Sequence, residues 1–153
     1  MCWYCGCREI PLIRAFIAEH EAVSAHAGEL LRALDAGDVV RAQQRLELMA
    51  AELRSHWDGE ERGLFAVMSP DPEYRDYIAA LVAEHRELDR LLATADLADA
   101  DTRGAVRAAL AELVLHIAKE EDGLFPASLT ALDADQWNAA IAAWQAVHPG
   151  AEP

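Results

Sequence analysis

The sequence is poor in basic residues. It contains 13 lysines and arginines against 27 aspartates and glutamates, which gives a formal charge of -14 at pH 7. Such a surface repels a nucleic-acid backbone and an anionic lipid surface, so we expect neither nucleic acid nor membrane as a partner. No run approaches the roughly 18 apolar residues of a membrane helix. The start also lacks the basic and then apolar layout of a secretory signal, so we expect a cytoplasmic protein.

Cysteine is scarce as well. The only three, Cys2, Cys5 and Cys7, lie within the first seven residues, where they cannot cross-link a domain, and an odd number leaves one thiol unpaired within a monomer. They are compatible with ordinary reduced thiols, with a redox pair or intermolecular disulfide, or with a metal site that takes a fourth ligand from elsewhere. We therefore treat residues 1–9 as a cysteine-containing head that precedes one domain over residues 10–148.

Proline and glycine are few, with six and eight residues, and no stretch alternates between apolar and polar residues as a strand would. In a chain rich in alanine and leucine, this wide spacing of helix breakers indicates long helices. Short connections between long helices place neighbours antiparallel. We predict an all-α fold, an up-down-up-down antiparallel four-helix bundle with a short fifth C-terminal helix. The predicted helices cover about residues 11–36, 39–68, 72–95, 101–125 and 136–147.

Each long helix carries one histidine on its apolar seam, the row of residues spaced three and four apart that faces the core. On the first helix, Phe16, His20 and Val23 follow the alternating steps of four and three that mark a buried face. One buried histidine alone is commonly an ordinary core residue. Four buried imidazoles would cost several kcal/mol in desolvation unless each has a strongly attractive partner, and a divalent metal is such a partner. The four histidines are His20, His56, His85 and His116.

A histidine followed four residues later by a glutamate occurs twice, as His56 with Glu60 and as His116 with Glu120. Residues four apart lie about 40° apart around a helix, so both side chains can converge on one centre. The segments 56–65 and 116–125 match at six positions with an offset of 60, and a shorter Ala-Glu-His echo links the first and third helices. The chain thus reads as a doubled helical hairpin, which brings two equivalent ligand sets together. We expect these ligand sets to bind two metal ions that are bridged by carboxylates.

This pattern resembles the hemerythrin-like, or HHE cation-binding, family, which has a histidine, a histidine–glutamate pair, a histidine and a second such pair. The resemblance spans about residues 10–145. It implies two non-haem iron ions, bridged by carboxylates and by an oxo or hydroxo group. The implied ligands are His20 and His56 on one iron, His85 and His116 on the other, and Glu60 and Glu120 as bridges.

One position differs from the oxygen carriers of that family. They have a further histidine four residues after the one on the third helix, where this chain has Asp89. Asp89 lies on the inward side, about 40° from His85, so it is a candidate ligand. The alternative is an ion pair with Arg86 or Arg90 at the bundle surface.

A second difference concerns the carboxylate of the fourth helix, which the carriers take one residue later, at Glu121. Glu61 and Glu121 lie about 140° around their helices from the histidine of their pair, so we expect them to be solvated or to support the ligands. Glu19 and Glu84 have the same interpretation. We leave His26 and His148 out of the site because one lies off the seam and the other lies near the C-terminus.

An iron with fewer nitrogen ligands favours the ferric state, which disfavours reversible oxygen carriage. We therefore predict a protein that binds or reacts with dioxygen, nitric oxide or peroxide, in sensing or in the response to oxidative or nitrosative stress. Two alternatives stay open. One is a di-iron enzyme acting on these same small molecules, and the other is an iron-donation or repair protein that uses the N-terminal cysteines.

Overall fold

The computed structural model describes residues 6–153, and every regular element in that range is helical, which confirms the all-α class. No helix within those residues is both long enough and apolar enough to span a bilayer. The elements are a 3-10 helix (Cys7–Glu9), α1 (Ile13–Asp35), α2 (Val39–Arg62), α3 (Leu64–Met68), α4 (Pro72–Thr94), α5 (Ala100–Lys119), a π-helix (Glu120–Leu124), α6 (Phe125–Ala131) and α7 (Ala134–Val147).

Helix starts follow the capping residues. The side chain of Asp38 accepts a hydrogen bond from the backbone N–H of Arg41 at the start of α2, and Asp71 caps α4 in the same way. Asp99 rather than Asp101 caps α5, because its carboxylate accepts from the backbone N–H of Thr102, so this helix starts slightly earlier than predicted.

The start of α1 also differs from the prediction. Pro11 does not occupy the first turn, because Leu12 has a φ of 71° and α1 begins only at Ile13. Gly37, with a φ of 73°, lies between α1 and α2, where a glycine in the left-handed region commonly ends a helix.

The two copies of the repeated segment have different backbones. In the first copy Gly63 ends α2, and α3 begins at the next residue. A Cβ at Gly63 would lie 2.6 Å from the carbonyl oxygen of Gly59 and 3.0 Å from that of Ala140, so the glycine lets α7 approach closely. The second copy instead continues from α5 into the π-helix. A Cβ at Gly123 would lie 2.6 Å from the hydroxyl oxygen of Tyr77.

The four long helices pack in a ring, with α1 on α2, α2 on α4, α4 on α5 and α5 on α1, while α7 packs on α2 and α3. The buried apolar side chains form two clusters, one containing Val23 and Leu53 and the other containing Phe16 and Leu64. On α1, His20 lies between Phe16 of one cluster and Val23 of the other. The histidines therefore form a polar layer between two apolar ones. The up-down-up-down order of the helices stays a prediction.

Candidate metal centre

Six polar side chains meet in this layer and are almost completely buried. Two groups have possible ligand atoms that all lie within 4.8 Å of one another, and Glu120 belongs to both groups. We call His20, His56 and Glu60 the first half-site, and His85 and His116 the second half-site. The exposed fractions are 3% for His20, 2% for His56, 0% for Glu60, 1% for His85, 5% for His116 and 0% for Glu120.

Glu120 stands between the half-sites. Its Oε2 lies 3.2 Å from His20 Nε2, while its Oε1 lies 2.9 Å from His116 Nε2 and 3.6 Å from His85 Nε2. Glu60 has a related position, since its Oε2 lies 3.4 Å from His56 Nε2 and 3.7 Å from His85 Nε2. Each carboxylate thus reaches a histidine in both half-sites, which is the placement that a bridging ligand requires.

A glutamate outside the layer accepts a hydrogen bond from Nδ1, the outer nitrogen, of each of the four histidines in the layer. We call these Glu19, Glu61, Glu84 and Glu121 the outer glutamates. A carboxylate accepting from Nδ1–H fixes the neutral tautomer whose Nε2 lone pair points inward, the form that binds a metal. The Nδ1 hydrogen bonds are His20 to Glu121 (3.0 Å), His56 to Glu19 (2.6 Å), His85 to Glu61 (2.9 Å) and His116 to Glu84 (2.7 Å).

These four contacts close a ring around the bundle. Glu19 on α1 holds the histidine of α2, Glu61 on α2 holds that of α4, and Glu84 on α4 holds that of α5. Glu121 in the π-helix completes the ring on the histidine of α1. Each histidine is therefore oriented by a glutamate from a neighbouring helix. The orientation of the four imidazoles thus depends on the correct packing of all four helices.

Several ligand atoms have no hydrogen-bond partner. Among the described residues, His20 Nε2 and both carboxylate oxygens of Glu60 and of Glu120 are buried and make no hydrogen bond of acceptable geometry. In the second half-site, the Nε2 atoms of His85 and His116 lie only 2.9 Å apart. Burying such groups unsatisfied costs about 1–3 kcal/mol each, and more when they are charged. A cation between the nitrogen and oxygen atoms would satisfy them, so this donor set fits a metal centre.

The pKa values describe the cluster without metal. Burial and the nearby charge of Glu120 raise the pKa of Glu60 well above its usual value. Burial also acts to raise the pKa of Glu120, but the rings of His116, His20 and His85 outweigh burial and hold it well below the usual value. Glu60 therefore favours its protonated form and Glu120 its ionised form.

The two histidines of the first half-site are shifted in opposite directions. Burial lowers the pKa of His20, but the nearby carboxylates of Glu120 and Glu121 outweigh burial and raise the pKa to about 9. Burial, together with the positive charge of His20, lowers the pKa of His56 to about 4. A metal that binds here must displace the proton of His20, and it favours the ionised form of Glu60.

The two chain ends cover the outer glutamates of the first half-site. Trp144 Nε1 donates a hydrogen bond of 2.8 Å to Glu19, and His148 Nε2 lies 3.3 Å from the same oxygen. Arg8 donates a hydrogen bond of 2.9 Å to Glu121. The first half-site is thereby closed by α7 on one side and by the N-terminal segment on the other.

The second half-site faces the surface. Its outer glutamates, Glu61 and Glu84, form ion pairs with Arg86 and Lys119, whose side chains are 59% and 44% exposed. A cleft of about 670 Å³, which we call the α4–α5 cleft, is lined by both helices and includes both histidines of this half-site among its walls. The two half-sites therefore differ in access although their ligands are alike.

The structure brings the six predicted core ligands together but does not bring Asp89 to them. The Asp89 carboxylate, 40% exposed, forms a 2.8 Å ion pair with Arg54 on α2 and belongs to neither ligand group. Of the cysteines, Cys7 is half-buried at the start of the 3-10 helix. Cys2 and Cys5 lie outside the described residues, so their predicted redox or metal role stays a prediction.

The sequence left one feature of the site open and another out. It predicted that the outer glutamates are either solvated or support the ligands, and all four hydrogen-bond to a ligand histidine. It left out His148, which approaches Glu19. A signal was present, because each outer glutamate is the direct sequence neighbour of a ligand. Adjacent residues on a helix point about 100° apart, so a neighbour of an inward ligand can reach the histidine of the next helix.

Comparison with known protein families gives one match. The model of the hemerythrin HHE cation binding domain matches residues 12–128, a range that contains all six core ligands. Searches of curated proteins and of solved structures found no match.

Proposed function

The chain belongs to the hemerythrin HHE cation-binding family, and we propose that it holds two non-haem iron ions that react with dioxygen, nitric oxide or peroxide. His20 and His56 hold one ion, and His85 and His116 hold the other. The observation that supports two ions is the position of Glu120, which offers one oxygen to His20 and the other to His116. With Glu60 it forms the carboxylate bridges of this proposal, which also includes an oxo or hydroxo bridge.

Iron fits this mixture of donors. Imidazole nitrogens with carboxylate oxygens, presented by several helices of a bundle, form the ligand type of non-haem di-iron proteins. When bound, two iron ions supply one-electron and dioxygen chemistry that amino-acid side chains lack. The protein positions the ligands, because each outer glutamate accepts a hydrogen bond from Nδ1 of an imidazole and so aims its Nε2 inward.

We assign the coordination position at which a small molecule binds to the second half-site. Its ligand group contains His85, His116 and Glu120, one donor fewer than the group of the first half-site. Asp89, which would add a fourth donor, pairs with Arg54 instead. A small molecule that arrives through the α4–α5 cleft meets these histidines first. This asymmetry supports reaction at one ion, in a sensing or stress-response role, rather than symmetric storage.

The α4–α5 cleft also favours a second candidate. An open cleft beside a metal position is where an enzyme would hold a substrate larger than a diatomic molecule. The protein is then a di-iron enzyme that uses dioxygen, peroxide or nitric oxide together with an organic molecule.

The decisive measurement is iron loading. Metal-free protein is titrated anaerobically with ferrous iron and the iron bound per chain is counted; we expect two ions. His85→Ala should bind one, because it removes a ligand from the second half-site alone. His26→Ala is the matched control and should still bind two, since His26 belongs to neither ligand group. One ion per chain, unchanged by His85→Ala, would refute the two-metal site.

The reaction class is tested on the loaded protein. Dioxygen, peroxide and nitric oxide are added separately, and absorption spectra are recorded over time. We expect lasting spectral changes with peroxide or nitric oxide. A stable oxygenated band that disappears on evacuation would instead identify a carrier and contradict this part of the proposal.

A further inference from the structure

We propose that the α4–α5 cleft binds an elongated apolar molecule with a cationic head, of the alkylammonium type, beside the second half-site. The binding itself depends only on the cleft, while its role as a substrate or effector site rests on the proposed function. The volume of about 670 Å³ lies within the roughly 300–1,000 Å³ of small-molecule sites.

The walls of the cleft are apolar. Leu88 and Leu91 contribute from α4, while Ala105, Ala108 and Ala109 contribute from α5. Alanine side chains are too short to fill the space between the two helices, so a gap remains where longer side chains would interdigitate. An apolar chain placed there removes its own surface and that of the leucines from water, which is the main source of affinity for such sites.

The cleft is long and has two different ends. On α4 its lining positions run from Glu84 to Leu91, which is about 10 Å of helix, and on α5 they run from Ala105 to His116, about 16 Å. His85 and His116 lie at one end of these ranges, and Leu91 and Ala105 lie toward the other. A ligand that is extended rather than compact fits this shape, with one end next to the metal ligands.

The charged groups select the sign of the head. Of the residues that the structure describes, three glutamates and no lysine or arginine line the cleft. Glu84 already pairs with His116 and Lys119. Glu87 and Glu112 are exposed and form no ion pair within the described part of the chain.

Both of these glutamates lie closer to the metal end of the cleft than to its other end. Glu87 comes two residues after His85, and Glu112 comes four residues, about one turn, before His116. A positive head is therefore attracted to the end that contains the histidines, and the apolar tail extends toward Leu91. A carboxylate or phosphate head would be repelled by the same groups.

Three ligands of equal chain length test the charge preference. Octylammonium, octanol and octanoate are titrated into full-length protein at pH 7 by calorimetry, with and without iron. We expect one site in the metal-free protein, with octylammonium binding about fivefold more tightly than octanol and at least about tenfold more tightly than octanoate. Equal binding of octanoate and octylammonium would overturn the proposal.

Two matched pairs of variants locate the site. Ala108→Trp fills the cleft and should weaken octylammonium binding at least about tenfold, whereas Ala111→Trp, an exposed α5 position outside the cleft lining, should not. The double change Glu87→Gln with Glu112→Gln should weaken octylammonium about fivefold and leave octanol unchanged. Glu73→Gln, on the exposed surface of α4, is its control.

The results separate this inference from the proposed function. If the protein takes up no iron but binds octylammonium, and Ala108→Trp abolishes that binding, the cleft proposal is supported and the di-iron role is refuted. Two bound iron ions without octylammonium binding, or binding that neither Ala108→Trp nor the double glutamine variant weakens, would refute the cleft alone. Circular dichroism of every variant identifies those that fail to fold, and the surface glutamine variants still test the proposal if Ala108→Trp does not fold.

Discussion

The two half-sites have nearly the same ligands in unlike surroundings. In the first, Trp144 and His148 cover Glu19 while Arg8 covers Glu121, so its outer glutamates face other parts of the protein. In the second, the outer glutamates pair with exposed Arg86 and Lys119, and a cleft reaches the histidines.

The sequence repeat explains why the ligands are alike, and residues outside the repeat explain why the surroundings differ. The repeated hairpin provides one histidine per helix and one histidine–glutamate pair per copy, so it dictates similar ligands on both sides. Arg8, Trp144 and His148 lie before and after the two copies and have no repeat counterpart. Because these additions cover only one side, a symmetric ligand set acquires a closed and an open half-site.

The largest expected effect comes from the residue that the half-sites share. Glu120→Gln removes the only carboxylate present in both ligand groups, so both ions should bind more than about a hundredfold more weakly. Glu73→Gln is an exposed control and should bind two ions with unchanged affinity. Iron per chain after gel filtration, together with titration, measures the effect. One ion retained at full affinity would mean that Glu120 serves a single half-site.

The outer glutamates should act on one half-site each. We expect Glu19→Gln to weaken the first half-site, and Glu84→Gln the second, by about 10–100-fold, because each loses the carboxylate that orients its histidine. Both are made in the His85→Ala background, where only the first half-site should hold iron. Glu19→Gln should then weaken the remaining ion and Glu84→Gln should not. Equal effects would show that the half-sites do not bind independently.

Metal uptake should also depend on pH, mainly through the first half-site. His20, with its pKa raised to about 9, carries a proton at pH 7 that a metal displaces, and the raised pKa of Glu60 acts in the same direction. We expect loading to release at least about one proton per chain and the affinity to rise up to about tenfold per pH unit between pH 7 and 9. Calorimetry in buffers of different ionisation enthalpy measures the released protons. A pH-independent affinity would contradict this protonation state.

The same shifts predict the stability of the metal-free protein. The raised pKa of His20 contributes stability that is complete below pH 6.5 and is lost as the pH rises toward about 9. The lowered pKa of His56 contributes stability that is present above pH 6.5 and is lost as the pH falls toward about 4. The melting temperature should therefore be highest near pH 6.5. A melting temperature that rises steadily to pH 9 would contradict the assignment for His20.

A smaller effect should follow from opening the cover of the first half-site. Trp144→Phe keeps an aromatic ring but removes the indole N–H that donates to Glu19, so we expect a loss of at least about 1 kcal/mol in unfolding free energy and a several-fold weaker first ion. Trp137→Phe changes the same residue type on the same helix without touching Glu19, and should leave metal affinity unchanged. Equal effects of the two variants on metal binding would mean that the cover does not orient Glu19.

Periodicity predicted the part of the site that depends on one helix at a time. The seam spacing of His20, and the four-residue spacing of His56 and Glu60, are local properties, and the structure buries all three side chains. Helix caps such as Asp38 and Asp71 were also predictable because a cap acts within three residues.

Features that depend on two elements could not be read in this way. The contact of Glu19 with His56 requires the relative rotation of α1 and α2. The repeated segment ends α2 at Gly63 but enters a π-helix around Gly123, since different neighbours surround the two glycines. A sequence shared at six of ten positions therefore did not dictate the same backbone.

Asp89 is the sharpest case, and it gives the smallest expected effect. Its 40° offset from His85 made it a candidate ligand, with a surface ion pair to Arg86 or Arg90 as the alternative. The carboxylate does form a surface ion pair, but its partner is Arg54 on α2. Asp89→Ala should therefore change the affinity for either ion by less than about twofold, since an exposed ion pair contributes about 0–1 kcal/mol to stability and nothing to the ligand set. Arg54→Ala breaks the same pair but keeps the carboxylate, and should match it. If Asp89→Ala instead weakens the second ion while Arg54→Ala strengthens it, the carboxylate binds that ion when released from the arginine. The open half-site would then have the fourth donor that its group lacks here.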